Sequence, residues 1–296
     1  LARLADRDVL VAYVNVQKAA DAEVKRLLTD AYRDINRQLR LIEASDNTSA
    51  ALLRMRLLAT KREILERQAE LYDKIGDVVQ RRRKAAAARA IQVAGRYDQD
   101  VFNAIGETEL GREVSRNFEQ TELRSIDAAI ARMTKSRTSL STRVYRARAW
   151  ADERLERRIN SALARGLSAD QLAAEIRDFI NPRTPGGQRY AALRLARTEI
   201  NNAFHAMSIQ AAIDKPWIDK VEWHLSRSHP RPDECDALAG RMFAPEDTPP
   251  KPHPQCLCYI TPVVDMSAES DEAFLDRLVE GDFDDFLKSF GVEHGL

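Results

Sequence analysis

VKRLLTDAYRDINRQLRLI, residues 24–42, decides the class of fold. Val24, Leu27, Leu28, Ala31, Ile35, Leu39 and Ile42 recur every three or four positions and line one face of a helix. A strand would need alternation at every second residue, and none is present. Further along, Ser45-Asp46-Asn47-Thr48 breaks the pattern and offers N-caps for a second helix. That helix carries Leu52, Leu53, Leu57, Leu58, Ile64, Leu65, Tyr72 and Ile75 and is expected to reach about Ala94. Unbroken, it would be roughly 65 Å long at ~1.5 Å per residue. Gly76 and Gly95 are its expected weak points. Neither helix is apolar enough to stand as a buried single rod, so the two are expected to pair as a hairpin or in coiled-coil fashion.

A second unit is expected from about Ser139. Val144, Ala147, Ala151, Leu155, Ile159 and Leu163 mark a helix ended by Gly166. Ser168 and Gln171 have the spacing of a capping box, which opens another helix that stops at about Ile180, before Pro182. The 181–187 stretch reads as a loop, and a further helix is expected from Tyr190 to about Ile213. After Pro216 the character changes: Ile218 to Leu225 and Cys258 to Val264 read as strands, separated by a proline-rich segment. The expected class is mainly α with a smaller α+β domain. The expected divisions are a long helical region over 1–138, a domain over 139–265 and a tail over 266–296.

The bulk properties agree. With 31% charged residues and only 6% aromatic, the chain suits solvated helices better than a compact β-rich enzyme. A net charge of zero hides an asymmetry. Residues 1–150 carry an excess of about eight positive charges, and residues 265–296 about eight negative ones. No apolar run approaches the ~20 residues of a membrane span, so no membrane partner is expected. Leu1 to Arg7 has neither the charged start nor the apolar stretch of a signal peptide. Three cysteines late in the chain do not make a disulfide framework and fit a metal site in a reducing compartment better.

The sharpest chemical signal is His229-Pro-Arg-Pro-Asp-Glu-Cys235-Asp236, followed by His253-Pro-Gln-Cys256-Leu-Cys258. Residues i and i+2 of a strand point the same way, so Cys256 and Cys258 are expected to face one ion. A turn stiffened by Pro252 and Pro254 brings His253 round as a third ligand, and Cys235 completes a tetrahedral set suited to zinc. His229 is held in reserve. A structural zinc would cross-link a segment that has few residues with which to build a core. The competing reading is buried or idle thiols with a surface histidine. A disulfide between Cys256 and Cys258 would fight the extended backbone.

Several separated motifs stand in a particular order: Arg197-Thr198-Glu199, Trp223, the His229–Gly240 segment, Pro249-Pro250, His253-Pro-Gln-Cys256-Leu-Cys258 and Thr261-Pro262-Val263. Together with Tyr145 and the Gly166–Ser168 capping region, they closely resemble the phage Mu F-like head morphogenesis family over roughly residues 140–265. Leu257 departs from the arginine more usual between the cysteines. The resemblance implies a minor capsid protein of a tailed bacteriophage rather than an enzyme. Such a protein is present in few copies and sits in the capsid interior or at the portal vertex. It is assembled in the bacterial cytoplasm and takes part in head assembly or DNA delivery. The implied partners are the portal protein, other head proteins and a scaffold.

Four further features bear on this expectation. Arg81-Arg82-Arg83-Lys84 would touch packaged DNA nonspecifically through its phosphates, against the simpler reading of a solvated helix face. Arg197 and Glu199 read as a buried ion pair satisfied by helix-to-sheet packing, not as catalytic groups. Trp217 and Trp223 read as core. The acidic tail, with Phe274, Leu278, Phe283, Phe286 and Phe290 at helical spacing, reads either as a docking helix or as an ordinary terminal one. The rival class is a zinc-dependent hydrolase or nuclease built on the same cysteines and histidine, with Asp233 or Glu234 as general base. A thiolate-rich site is usually closed, which favours the structural role, with no catalytic residues and no organic cofactor.

Overall fold

The computed structural model describes residues 2–43, 50–104, 139–215, 217–226 and 232–264, with 106, 108–109, 111–112, 115–120 and 122–123 between them. Among the described residues, helices α1 (Ala2–Glu43), α2 (Ala50–Ala104), α3 (Leu140–Ala164), α4 (Ala169–Ile180) and α5 (Gly187–Ile213) precede a small sheet. Strands β1 (Lys220–His224), β2 (Met242–Phe243) and β3 (Tyr259–Val263) form an antiparallel sheet in the order β2-β1-β3. The chain is mainly helical with a small sheet, as the periodicity predicts. The acidic tail lies outside the described residues, as does His229.

The described residues form two compact units, each assembled from separated segments. One, the helical unit, draws on 18–81 and 136–197; the other, the sheet unit, draws on 1–17, 82–135 and 198–296.

In the helical unit, α1 and α2 run antiparallel. Glu23 meets Arg81 at 3.1 Å, whereas Asp30 and Asp34 line a small cavity with Arg67 and Glu70. Val24, Leu28, Ile35 and Leu39 of α1 bury against Ile64, Leu71, Tyr72 and Ile75 of α2, together with Leu155 and Ile159 of α3 and Ile176 and Phe179 of α4. Each buried aliphatic side chain of this size contributes roughly 1.5–3 kcal/mol. Gly76 does not break α2, because its ~1 kcal/mol propensity cost is small beside the packing of its flanks. The expected end near Ala94 is also overrun, and α2 continues through Gly95 to Ala104. There a Cβ would lie 2.6 Å from Glu119 Oε1 and 2.9 Å from Ser115 Oγ, so glycine lets another segment approach closely.

Caps set the shorter helices. Ser139 accepts from the Thr142 amide at the start of α3, and Gly166 follows its end with a left-handed φ of 66°. The capping box is present: Gln171 N–H donates to Ser168 Oγ at 3.3 Å, and Ser168 N–H donates to Gln171 Oε1 at 3.0 Å. The next helix, α5, begins at Gly187, three residues before the expected Tyr190.

In the sheet unit, β1 turns Val221 and Trp223 inward while Glu222 and His224 are half-buried. Val221 and Trp223 pack with Tyr97, Val101 and Phe102 of α2, Ala212 of α5, Trp217 and Ile260. Both tryptophans are fully buried, as expected of core residues. An ion pair is buried with them: Lys215 Nζ lies 2.6 Å from Asp98 Oδ2, and Trp217 Nε1–H donates to Asp98 Oδ1 at 3.2 Å.

Arg197 and Glu199 are ion-paired, but to helices and to different partners, not against the sheet as expected. Arg197 grips Asp21 of α1 through two nitrogens, and Glu199 faces the buried Arg83 of α2 at 3.8 Å. Two residues apart on α5, they point to different sides, so one partner cannot serve both. The basic run is correspondingly split. Arg83 is buried, Arg82 and Lys84 are half-buried, and exposed Arg81 bridges to Glu23. Among the described residues, no helix is long and apolar enough to cross a membrane.

Candidate metal centre

The centre is built in the sheet unit on two turns. The first follows β1. Asp233 Oδ1 accepts the Cys235 amide at 2.8 Å, Leu238 N–H donates to Cys235 O at 3.0 Å, and Gly240, at φ 70°, donates its N–H to Trp223 O at 2.8 Å. This short hydrogen-bonded turn fixes Cys235 beside the middle strand. The second turn precedes β3. Pro252 and Pro254 flank His253, Gln255 adopts a left-handed φ of 61°, and the Cys256 amide closes back on His253 O at 3.4 Å.

These turns bring three of the four expected ligands together. One ligand atom each from Cys235, His253 and Cys256 lies within 4.8 Å of the others. Cys235 Sγ is 3.3 Å from His253 Nε2 and 3.5 Å from Cys256 Sγ. Both thiols are buried, while the histidine is half-exposed. Cys258 is buried and exchanges side-chain hydrogen bonds with Cys256 and Cys235, but it stands outside that mutual group of three. The strand pairing expected from Cys258 begins one residue later at Tyr259, so Cys256 and Cys258 sit on the approach to β3.

The electrostatics suit a cation. His253 Nδ1–H donates to Pro254 O at 3.0 Å, which in the neutral ring leaves the Nε2 lone pair facing inward. That nitrogen faces the Cys235 sulfur at 3.3 Å and Asp233 Oδ2 at 3.2 Å. A positive centre would satisfy all of them. Burial pushes the Cys235 thiol up to about 12, against the hydrogen bond from Cys256. Cys256 goes the other way: the hydrogen bond from Cys258 lowers it first, with help from the charge of Lys251, despite its burial. Cys258, the donor in that bond, is raised in turn. Lys251 is lowered to about 8 by burial, with the three cysteines holding it up. A divalent ion would take the place of the thiol protons.

Comparisons of the chain with protein-family models, curated proteins and solved structures return no match. The case for the centre is therefore geometric.

Several residues that support it were not read from the sequence as part of the centre. The Cys256 carbonyl accepts from Tyr13 Oη–H at 2.9 Å and from Asn201 Nδ2–H at 3.0 Å, and Thr198 Oγ1 accepts the Gln255 amide at 3.1 Å. Tyr13 is 243 positions from Cys256, and no spacing rule relates them. Asp233, read from the sequence only as a general base for the rival class, stands against the ligand nitrogen itself.

Proposed function

We propose that this chain is a structural minor head protein of a tailed bacteriophage, of the Mu F-like kind, and that its cysteine–histidine segment holds one zinc ion. The observation that carries the reading is the convergence of Cys235, His253 and Cys256, drawn from two turns, on one point. The motif order around that segment supports the family assignment. In this reading Cys258 closes the coordination sphere from the buried side, giving a zinc-knuckle-like element without an open position. The portal and other head proteins are the partners, a scaffold among them, and the protein resides in the virion. DNA contact belongs to Arg81, Arg82 and Lys84, since Arg83 is turned into the core. It is weak and salt-sensitive.

One observation favours the rival zinc hydrolase: Asp233, a third exposed on its side chain, lies beside His253 Nε2 where a base for a metal-bound water would sit. Metal content by mass spectrometry, on protein purified without a metal-binding tag, is the first test. About one zinc per chain, lost in Cys235→Ser and in Cys256→Ser, is the expected result. Absence of metal from the wild type would overturn the centre. Cobalt-loaded protein with an exchangeable water, or turnover of an ester or phosphodiester, would favour the hydrolase. For the head assignment, purified particles should contain the chain at a few copies with the portal, and heads without it would overturn that assignment.

A further inference from the structure

The turn that carries His253 and Cys256 is held by its backbone from outside. Gln255 sits in the left-handed region at φ 61°, a conformation that a residue with a Cβ rarely adopts unless its surroundings impose it. The surroundings are specific. The Gln255 amide donates to Thr198 Oγ1, and the next carbonyl, of Cys256, accepts both Tyr13 Oη–H and Asn201 Nδ2–H. Thr198 and Asn201 lie three positions apart on α5, which puts them on one helix face. Tyr13 comes from α1, is fully buried and packs its ring on Phe204 with centroids 5.0 Å apart. None of the three touches a ligand side chain through these bonds. They grip the peptide units between and at the ligands.

We infer that Tyr13, Thr198 and Asn201 are positioning residues for the metal centre, which set its affinity by holding the Gln255–Cys256 backbone in the ligating conformation. This rests on the metal reading given above. A ligand turn free to sample other conformations must be ordered when the ion arrives, and that ordering weakens binding. Three bonds to two helices, two of them buried, order it beforehand. The carbonyl of Cys256 takes both bonds because a carbonyl oxygen has two lone pairs, so neither donor is redundant. Losing one leaves the other to fix a direction only partly. Outer-shell partners of metal ligands typically contribute 10–100-fold in affinity.

The experiment is zinc affinity by competition with a chromophoric chelator, together with the absorption spectrum of the cobalt-substituted full chain. The variants are Tyr13→Phe, Asn201→Leu, Thr198→Val and Thr198→Ser. Circular dichroism of each metal-free variant checks that the helices persist. Tyr13→Phe, Asn201→Leu and Thr198→Val are expected to weaken zinc about 10–100-fold and to broaden or shift the cobalt bands, while Thr198→Ser keeps the hydroxyl and stays near the wild type. A merely structural role would lower the melting temperature and leave the cobalt spectrum alone. Wild-type affinity and spectrum in all three deletion variants would overturn the inference while the metal centre stands. A wild type that binds neither ion would overturn both.

Discussion

The buried pair of Asp98 and Lys215 gives the sharpest stability prediction. Both side chains have no exposure. Besides its 2.6 Å contact with Asp98, Lys215 Nζ donates to Ala94 O at 3.1 Å and lies 4.2 Å from the centre of the Phe118 ring. Burial raises Asp98 to about 6 despite the neighbouring ammonium, and burial lowers Lys215 despite the carboxylate. Each ion is thus disfavoured by its surroundings and retained by the other. Asp98→Asn leaves an ammonium in a dry site with a carbonyl and a ring, and is expected to cost about 3–5 kcal/mol. Lys215→Met strands the carboxylate at a similar cost, whereas the double variant is expected within about 1–2 kcal/mol of the wild type or above it. Urea unfolding at pH 7, followed by Trp217 and Trp223 fluorescence in a Trp150→Phe background, reads this unit. Single variants costing less than about 1 kcal/mol, or a double variant as unstable as either single one, would refute the reasoning.

Three other outcomes follow. Zinc binding should release protons, since Cys235 and Cys258 are both raised and protonated at neutral pH; the loss of affinity per pH unit lowered should be about tenfold steeper if Cys258 ligates than if it does not. His205 is lowered to about 3, first by burial and then by Lys251, against its bond to Pro249 O. Its folded value lies below the unfolded ~6.5, so stability is complete above that pH and falls by up to ~1.4 kcal/mol per unit beneath it; metal-free His205→Gln should lack that slope in urea titrations. Gly187→Ala should cost at least ~1–3 kcal/mol, because its φ is 54° and the new Cβ would lie 2.6 Å from Phe179 O, a backbone atom that cannot swing away; an unchanged melting temperature would count against this.

How far the sequence could be read depended on whether a signal was local. Val24 to Ile42 and the Ser168–Gln171 box were legible because helix periodicity and capping act within four residues. The C-terminal end of α2 was not, since Gly95 is tolerated by the segment packed over it and no local rule records that. Strand β2 has two residues, and its pairing of Val221 with Phe243 comes from the turn at Gly240, with no alternation of its own. In the centre, Cys235, His253 and Cys256 were legible because ligand chemistry restricts the residue types. The expected placing of Cys258 in the strand was not, because β3 begins only at Tyr259. The grips on the turn, from residues 55 and 243 positions away, exist only once the helices have packed.

The discontinuity of the two units bears on synthesis. The helical unit takes its last segment from residues ending at 197, whereas the sheet unit draws on residues near the start of the chain and on a segment that begins only at 198. A chain leaving the ribosome therefore has every residue of the helical unit before it has α5's second half, β1 or the cysteine turns. Meanwhile Tyr13, at the front of the chain, must wait more than two hundred residues for the carbonyl it holds. Folding during translation would complete the inserted unit first and the enclosing one last. Nascent chains stalled shortly after residue 230 should be protected from protease in the helical unit alone.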